Sequence, residues 1–495
     1  MAFFNDLPVK GYTMLNIPSS YRCYRLLAGA LMLLAGCSVG PDYVRPAAVP
    51  AMPASYKEVN GWKPAQPKDE AIGGAWWQVF NDPQLNALEE QVAVSNQNVL
   101  AAEAGFRQAR ALIQAAKAGY YPTVSAGASV SRAHSSATLG SSSSHNDATT
   151  YTLPVDVSWE IDIWGRVRRS VEASRASAQA SAGDLAALRL SSQAQLAQAY
   201  FQLRTLDAQK EFLDATVAYY QKTLDLTKNR YASGVAAKSD VLQAETQLKS
   251  TLAQAIDIGV QRAQLEHAIA LLIGKPASDF ALPSAPLGAS PPPSIPLGVP
   301  SMLLERRPDI AASERRMAAA NAQIGVAEAA WYPSITLSAS GGLQTTSFSR
   351  WLSWPSRFWS VGPTVSETLF DGGLRSAQTE QARAAFDAVV ATYRQTVLTG
   401  FQEVEDNLAS LRILEEEAKA QDEAVLAARQ SVVVAENQYK AGITSYLNVL
   451  IAQTAELSNE RTAIAIRGSR MTACVLLIKA LGGGWDASSL QKAAQ

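Results

Sequence analysis

Histidine and cysteine, the side chains that most often build metal or nucleophilic centres, are scarce in this chain of 495 residues: His134, His145 and His267, with Cys23, Cys37 and Cys474. The histidines lie far apart and show no ligand spacing, so no metal or other cofactor is expected. No nucleophile elbow or phosphate-binding glycine loop occurs, and the serine run at 141–144 is loop composition, so an enzyme is the weakest reading. Other polar groups are spaced with more order. Asp156, Glu160 and Asp162 fall on alternate positions between apolar residues. Carboxylates in such a row would act electrostatically, biasing which ions approach a wet surface. A second set sits in a phrase written twice, YASGVAAKSDVL from Tyr231 and YKAGITSYLNVL from Tyr439. Tyr231, Gly234 and Asp240 in the first copy answer to Tyr439, Gly442 and Asn448 in the second. Their chemistry is that of a turn: glycines that reverse the chain, and hydroxyl, carboxylate and amide groups that hold or meet a neighbour.

The composition narrows the class. The net charge is −1, and 47% of residues are hydrophobic and 18% charged. No long single-sign run exists, so no nucleic-acid partner is expected. Arg22 and Arg25 precede a short apolar run that ends in Leu34-Ala35-Gly36-Cys37. A basic start and a short apolar stretch read as a signal peptide over 1–36. Its end resembles the bacterial lipobox, which implies that Cys37 becomes the lipidated first residue and that Ser38 directs it to outer-membrane lipid. No later segment has eighteen uninterrupted apolar residues, so any membrane crossing must use strands.

The elements that position these groups come in two rounds. Residues 37–75 are rich in proline and lack periodicity, and read as an extended tether that could reach roughly 100 Å. Repeat 1 covers 76–280. Asp82-Pro83 starts a helix that continues to about Gly119. Val124 to Ser131 and Tyr151 to Ile163 then alternate with period two, as membrane strands with one apolar and one wet side do. Glu160 and Asp162 are placed on the wet side with Asp156. A helix from about Gly165 to Ala232 follows, roughly 100 Å long, with a seam at Leu213, Val217, Tyr220 and Leu224. After the turn, Asp240 is placed to cap a return helix to about Gly274. A linker at 281–300 leads to repeat 2 at 301–482, with the same order, and a tail at 483–495. Pro122, Gly165 and Gly234 recur as Pro333, Gly372 and Gly442, at offsets of 211, 207 and 208. Such constancy indicates duplication. Glu367 interrupts the alternation of the last strand on its apolar side, and nothing in the sequence accounts for it.

Four strands cannot close a barrel, and open edges are not tolerated in lipid. Two chains would give eight strands with a filled interior, and three would give twelve with a lumen. The expected fold is therefore an α+β membrane protein in which several chains share one β-barrel, continued on one side by a long coiled-coil tunnel, with three chains the smallest number that leaves a lumen. Both repeated turns would line its far opening.

The residues GPDYVRP after Cys37, WWQVFNDPQLNAL, and LLERRPDIAASERRMAAANAQIGVAEAAWYPSITLS, with both turns, resemble the outer membrane factor lipoproteins of tripartite efflux pumps, the NodT-type branch. The resemblance covers nearly all of the mature chain. It implies a homotrimeric channel, a trimeric 12-stranded outer-membrane β-barrel with 4 strands per chain continued by a long periplasmic α-helical coiled-coil tunnel, docked to a periplasmic membrane fusion (adaptor) protein and an RND inner-membrane transporter, which supplies the energy. It also implies that Asp240 and Tyr439 contribute polar contacts that close the tip. Ile451 stands where the family often has aspartate, and Asn448 where some members do. The alternatives are the channel of a type I protein secretion system and a lipid-anchored coiled-coil scaffold or adhesin. The second does not explain two pairs of membrane-length strands.

Overall fold

A computed structural model of the chain describes residues 39–48, 53, 55–58, 74–134, 147–288, 291–293, 295, 302–488 and 490. Cys37 and the serine-rich segment 135–146 lie outside the described residues. The chain divides into two units, one holding 115–172 and 321–384 with the segment up to Tyr43, the other 44–114, 173–320 and 385–495.

The first unit carries one antiparallel sheet. Its strands are β1 (Thr123–Ala126), β2 (Ser129–His134), β3 (Asp147–Glu160), β4 (Ser334–Thr345) and β5 (Arg357–Ser366), in the order β1-β3-β4-β5 with β2 also on β3. β1 and β2 continue one register along β3, from Ala126 opposite Val155 to Ser129 opposite Thr152. The ladder breaks at Gly127, which donates to the Pro154 carbonyl at 3.1 Å. Pro154 has no N–H to return, so one expected strand appears as two. β3 ends at Glu160, which leaves Asp162 outside the strand, contrary to the sequence reading.

The second unit is helical. α1 (Pro83–Ser95) begins as expected, with the Asp82 carboxylate accepting from the N–H groups of Gln84 and Leu85. The single helix foreseen to Gly119 is instead two. Asn96 ends α1, and its side-chain oxygen caps α2 (Gln97–Ala118) through the N–H groups of Asn98 and Val99. The first helix of repeat 2 is also split, into α5 (Leu303–Arg306) and α6 (Pro308–Ala329). Pro308 supplies no N–H and starts the second piece.

The long helices are α3 (Arg166–Ala232) and α7 (Leu374–Lys440), each of 67 residues. Their return helices α4 (Lys238–Leu272) and α8 (Tyr446–Ala480) have 35 residues each. The foreseen seam of α3 is internal: Leu213, Tyr220 and Leu224 are buried and Val217 is partly buried against the cluster that holds Tyr220 and Leu224, while on α7 Tyr393, Val397, Val404 and Leu408 are buried. Buried charges fasten this packing. Asp207, on α3, holds Arg204 at 2.9 Å and Arg262 at 2.8 Å, and accepts the Ala285 N–H at 3.1 Å. Arg307 bonds Asp309, Glu403 and the Ala480 carbonyl, at 2.7, 2.6 and 3.1 Å.

The described part of the segment after Cys37 is not the free tether that its composition suggested. In the first unit Gly40, at φ +92°, lies against Gly325 so closely that a Cβ on Gly40 would sit 2.4 Å from the Gly325 Cα. The buried Arg169 donates to the carbonyls of Val39 and Gly40 and to the Asp42 carboxylate. In the second unit Arg45 bonds the Tyr393 hydroxyl at 3.2 Å. The N–H groups of Lys57 and Glu58 both donate to the Glu405 carboxylate. Proline-rich sequence lowers the entropy of an extended chain, and backbone groups spared from secondary structure are available to such a strap.

Candidate functional site: the two-faced sheet and the paired helical turns

The register sorts the sheet residues by chemistry. Asp156 pairs with Ser125 and Ser340, and Ser340 with Ser360. Ser158 pairs with Thr123 and Ser338, and Glu160 with Thr336, itself opposite Thr364. Directly opposed residues share a face, so these hydroxyls and carboxylates form one polar surface. The other face carries Val124, Val155, Leu337, Trp359, Val361 and Val365, all exposed. A single sheet that exposes one continuous apolar face is ill suited to water and well suited to lipid. Aromatic rings gather where β3 starts and β4 ends: Tyr151, Phe348 and Trp351 lie with centroids 5.5 to 6.2 Å apart.

Asp162 does different work from Asp156. Its carboxylate accepts from the N–H groups of Val167 and Arg168 at 3.0 and 2.8 Å, at the start of α3. Glu160 reaches the same helix, binding Arg166 through two bonds of 2.9 and 2.6 Å. The second repeat builds the same junction. Asp371 accepts from the N–H groups of Gly373 and Arg375, and Arg375 also grips Glu367 at 3.1 Å. The Arg375 bond is the main reason that the Asp371 carboxyl is held below its usual range. Glu367 therefore interrupts no strand. β5 ends one residue earlier, and the carboxylate belongs to the helix junction. Acidic groups at a helix start also suit the helix dipole.

The two turns are built alike. Gly234 and Gly442 have φ of +73° and +75°, and a Cβ at either position would meet nothing within 4 Å. Glycine is needed there for the backbone and not for space. Gly234 N–H donates to the Tyr231 carbonyl and Val235 N–H to Arg230, as Gly442 does to Tyr439 and Ile443 to Gln438. Each is a helix C-cap of the Schellman type. The apolar residue after each glycine usually packs back on its helix, yet Val235 and Ile443 are 65% and 76% exposed. Leu242, Leu447 and Ile451 are exposed nearby in sequence.

Beneath the turns, Tyr220, Leu224, Val241, Ala244, Leu248, Tyr439, Tyr446 and Val449 form one core. The duplicated tyrosines have diverged. Tyr439 is 7% exposed and meets Tyr446 edge to face at 5.5 Å, whereas Tyr231 is 46% exposed under the Lys238 ammonium. Burial first, then the Asp240 charge, raises the Tyr439 phenol above its ordinary value. Asp240 is not the cap of α4. That position is Ala237, whose methyl group cannot accept a hydrogen bond, and Asp240 lies within the first turn. Asn448 bonds the hydroxyl of Thr444 inside its own turn.

Sequence reasoning passed over Arg230. Its guanidinium lies 4.8 Å from the centre of the Tyr439 ring, and Nη1 donates to the Lys440 carbonyl at 3.2 Å. It thus ties the end of α3 to the end of α7. A basic residue in the last turn of a helix was the available signal. Glu436, which accepts from Tyr219 and Gln453, was also missed. Those two partners lie on other helices, and the only local mark is Lys440, four residues on along α7 and 3.7 Å from the carboxylate.

Comparison with known proteins decides the class. The sequence matches the family described as outer membrane efflux protein over residues 88–275 and 299–483. The chain belongs to the outer membrane efflux protein family. It is 33% identical over 463 residues to the antibiotic efflux pump outer membrane protein ArpC of Pseudomonas putida, covering 93% of this chain and 95% of that one. The toluene efflux pump outer membrane protein TtgC, also of Pseudomonas putida, gives the same figures. Among solved structures, the outer-membrane channel OprN superposes with a TM-score of 0.84 at 31% identity, covering 91% of this chain and all of the other. Like its relatives, this outer membrane efflux protein is an outer-membrane exit channel with a barrel part and long helices, and its role is conduction rather than chemistry. The barrel part is the two-faced sheet.

Proposed function

We propose that three copies of this chain close one twelve-stranded barrel and act as the passive exit duct of a tripartite efflux pump. The observation that supports this most is the sheet itself. It has a lipid-suited face, a polar face, and two edges, β1/β2 and β5, with no partner among the described strands. An unpaired edge in hydrocarbon leaves backbone groups without hydrogen bonds, at several kcal/mol each. Copies of the same chain, edge to edge, remove that cost, and three leave room for a lumen.

In this reading the exposed Val235 and Ile443 on the paired turns meet a periplasmic adaptor protein, and an RND transporter supplies the energy. Gly234 and Gly442 shape that docking surface. Tyr231, Asp240, Tyr439 and Asn448 lie on or beside it, and Arg230 with Tyr439 holds the turns together when the channel is idle. Asp156 and Glu160 face the lumen, and Asp156, whose charge is not paired with an arginine among the described residues as that of Glu160 is with Arg166, favours cations. Cys37 carries lipid that anchors the strap. Reconstitution of the purified protein in planar bilayers is the test. Discrete, cation-preferring conductance supports the reading, and a protein that inserts without conducting contradicts it.

A further inference from the structure

The helical unit holds a cleft of about 860 Å³ that the conduit role does not require. Four helices contribute to it: Gln202 and Leu206 from α3, Gln261 and Leu265 from α4, Leu414 from α7, and Thr472 from α8. At its floor α8 approaches α3 closely, since a Cβ on Gly468 would meet the Thr205 hydroxyl at 2.1 Å. Interiors between packed helices are ordinarily filled to crystal-like density. Here the lining leaves half-buried leucines facing a space of ligand size instead.

The lining has a definite chemistry. Every side chain in it is uncharged. Several hydroxyl and amide hydrogens are already given to the backbone: Thr205 donates to Phe201, Ser410 to Asp406 and Asn407 to Glu403. Those groups keep lone pairs free to accept. The amides of Gln202 and Gln261 make no hydrogen bond with the described chain. They can therefore both donate and accept. The leucines supply apolar walls. A charged guest would shed water here and find no opposite charge, which is costly. An uncharged molecule with an apolar body and a few hydrogen-bonding groups loses little and gains contact with the leucines.

We propose that this cleft is a binding site for uncharged amphiphilic small molecules, one per chain. The inference deepens the channel reading, on which it rests, by giving the duct a preference among its cargo. Gln202 and Gln261 orient the guest's polar groups, and Leu206, Leu265 and Leu414 hold its apolar part.

The test uses the full-length protein in lipid nanodiscs and equilibrium dialysis with radiolabelled chloramphenicol, a neutral amphiphile. Anilinonaphthalene sulfonate and ethidium serve as anionic and cationic comparators. A saturable component is expected for the neutral probe, beyond its uptake by empty nanodiscs and absent for the charged ones. Gln261→Glu adds a charge at an exposed position, and Thr472→Trp fills the space. Each should weaken that component at least about tenfold, the size of effect expected for 1.4 kcal/mol, while bilayer conductance shows that the variants still assemble. No saturable component, or binding in both variants as tight as in the unmodified protein, overturns the site. Loss of conductance in the unmodified protein would instead overturn the channel reading, and the dialysis result would stand apart from it.

Discussion

Arg230 on α3 covers the ring of Tyr439 on α7 at 4.8 Å and donates to the Lys440 carbonyl at 3.2 Å. One side chain thereby satisfies an orphan carbonyl at the end of the other long helix and packs on its last tyrosine. Truncation to alanine removes both contacts. Arg230→Ala should loosen the paired turns and raise single-channel conductance in planar bilayers several-fold. Asp240→Ala should act in the same direction, because its carboxylate faces the Tyr439 phenol electrostatically. Cells carrying it at normal protein levels should leak bulky antibiotics such as vancomycin. Unchanged conductance and susceptibility would assign these residues to packing alone.

The two faces of the sheet can be read by labelling. Cys474 is the one free cysteine among the described residues, buried, with its thiol pushed up to about 12 by burial. It therefore gives little background. Asp156→Cys should react with a membrane-impermeant maleimide in whole cells or proteoliposomes. Val157→Cys, one residue on and on the opposite face, should not. Equal reactivity would place both faces in water.

The duplication, the long helices and the alternation of β3 were all legible, because each is a periodicity that one element imposes on its own sequence. The failures share a cause. Asp162 and Glu367 read as strand residues because alternation carries no mark of where a strand stops, and their real partners, Arg168 N–H and Arg375, lie on the following helix. The strap read as a loose tether because its fastening comes from Arg169, Gly325 and Glu405, far away in sequence. Arg230 escaped notice for the same reason, since the Lys440 carbonyl lies 210 residues on.

Glu89 gives a pH dependence. It is fully buried on α1, neither carboxyl oxygen has a hydrogen-bond partner among the described residues, and burial pushes its pKa up to about 9. The folded state holds this proton more tightly than the unfolded chain. Its contribution to stability is therefore complete below about pH 4.5 and is lost as pH rises toward about 9. Thermal unfolding followed from pH 5 to 9 should show Tm falling, and Glu89→Gln should reduce that slope. An identical slope in the variant would show that Glu89 does not titrate in the folded protein.

The strap has a simple steric test. Gly40→Ala adds a methyl 2.4 Å from the Gly325 Cα. It does so at a φ that only glycine adopts easily. Such strain costs on the order of 1–3 kcal/mol. Protease sensitivity of the segment before Tyr56 should increase, while Cys37→Ser, which leaves the strap intact, should not change it. An undisturbed strap in Gly40→Ala would mean that the contact yields without cost.

Asp207 anchors two arginines and a backbone N–H at 1% side-chain exposure. Removing one partner of a buried charge cluster typically costs about 3–5 kcal/mol. Asp207→Ala should lower Tm sharply, and replacing Arg262 as well should not add the full cost of a second loss. Strict additivity in that double-mutant cycle would show that the groups act separately.

The sheet with two free edges is the centre of the account, and the mass of the assembled protein tests it most directly. Native mass spectrometry of the protein released from lipid nanodiscs should show three chains together. A stable single chain that keeps its sheet structure would contradict the account.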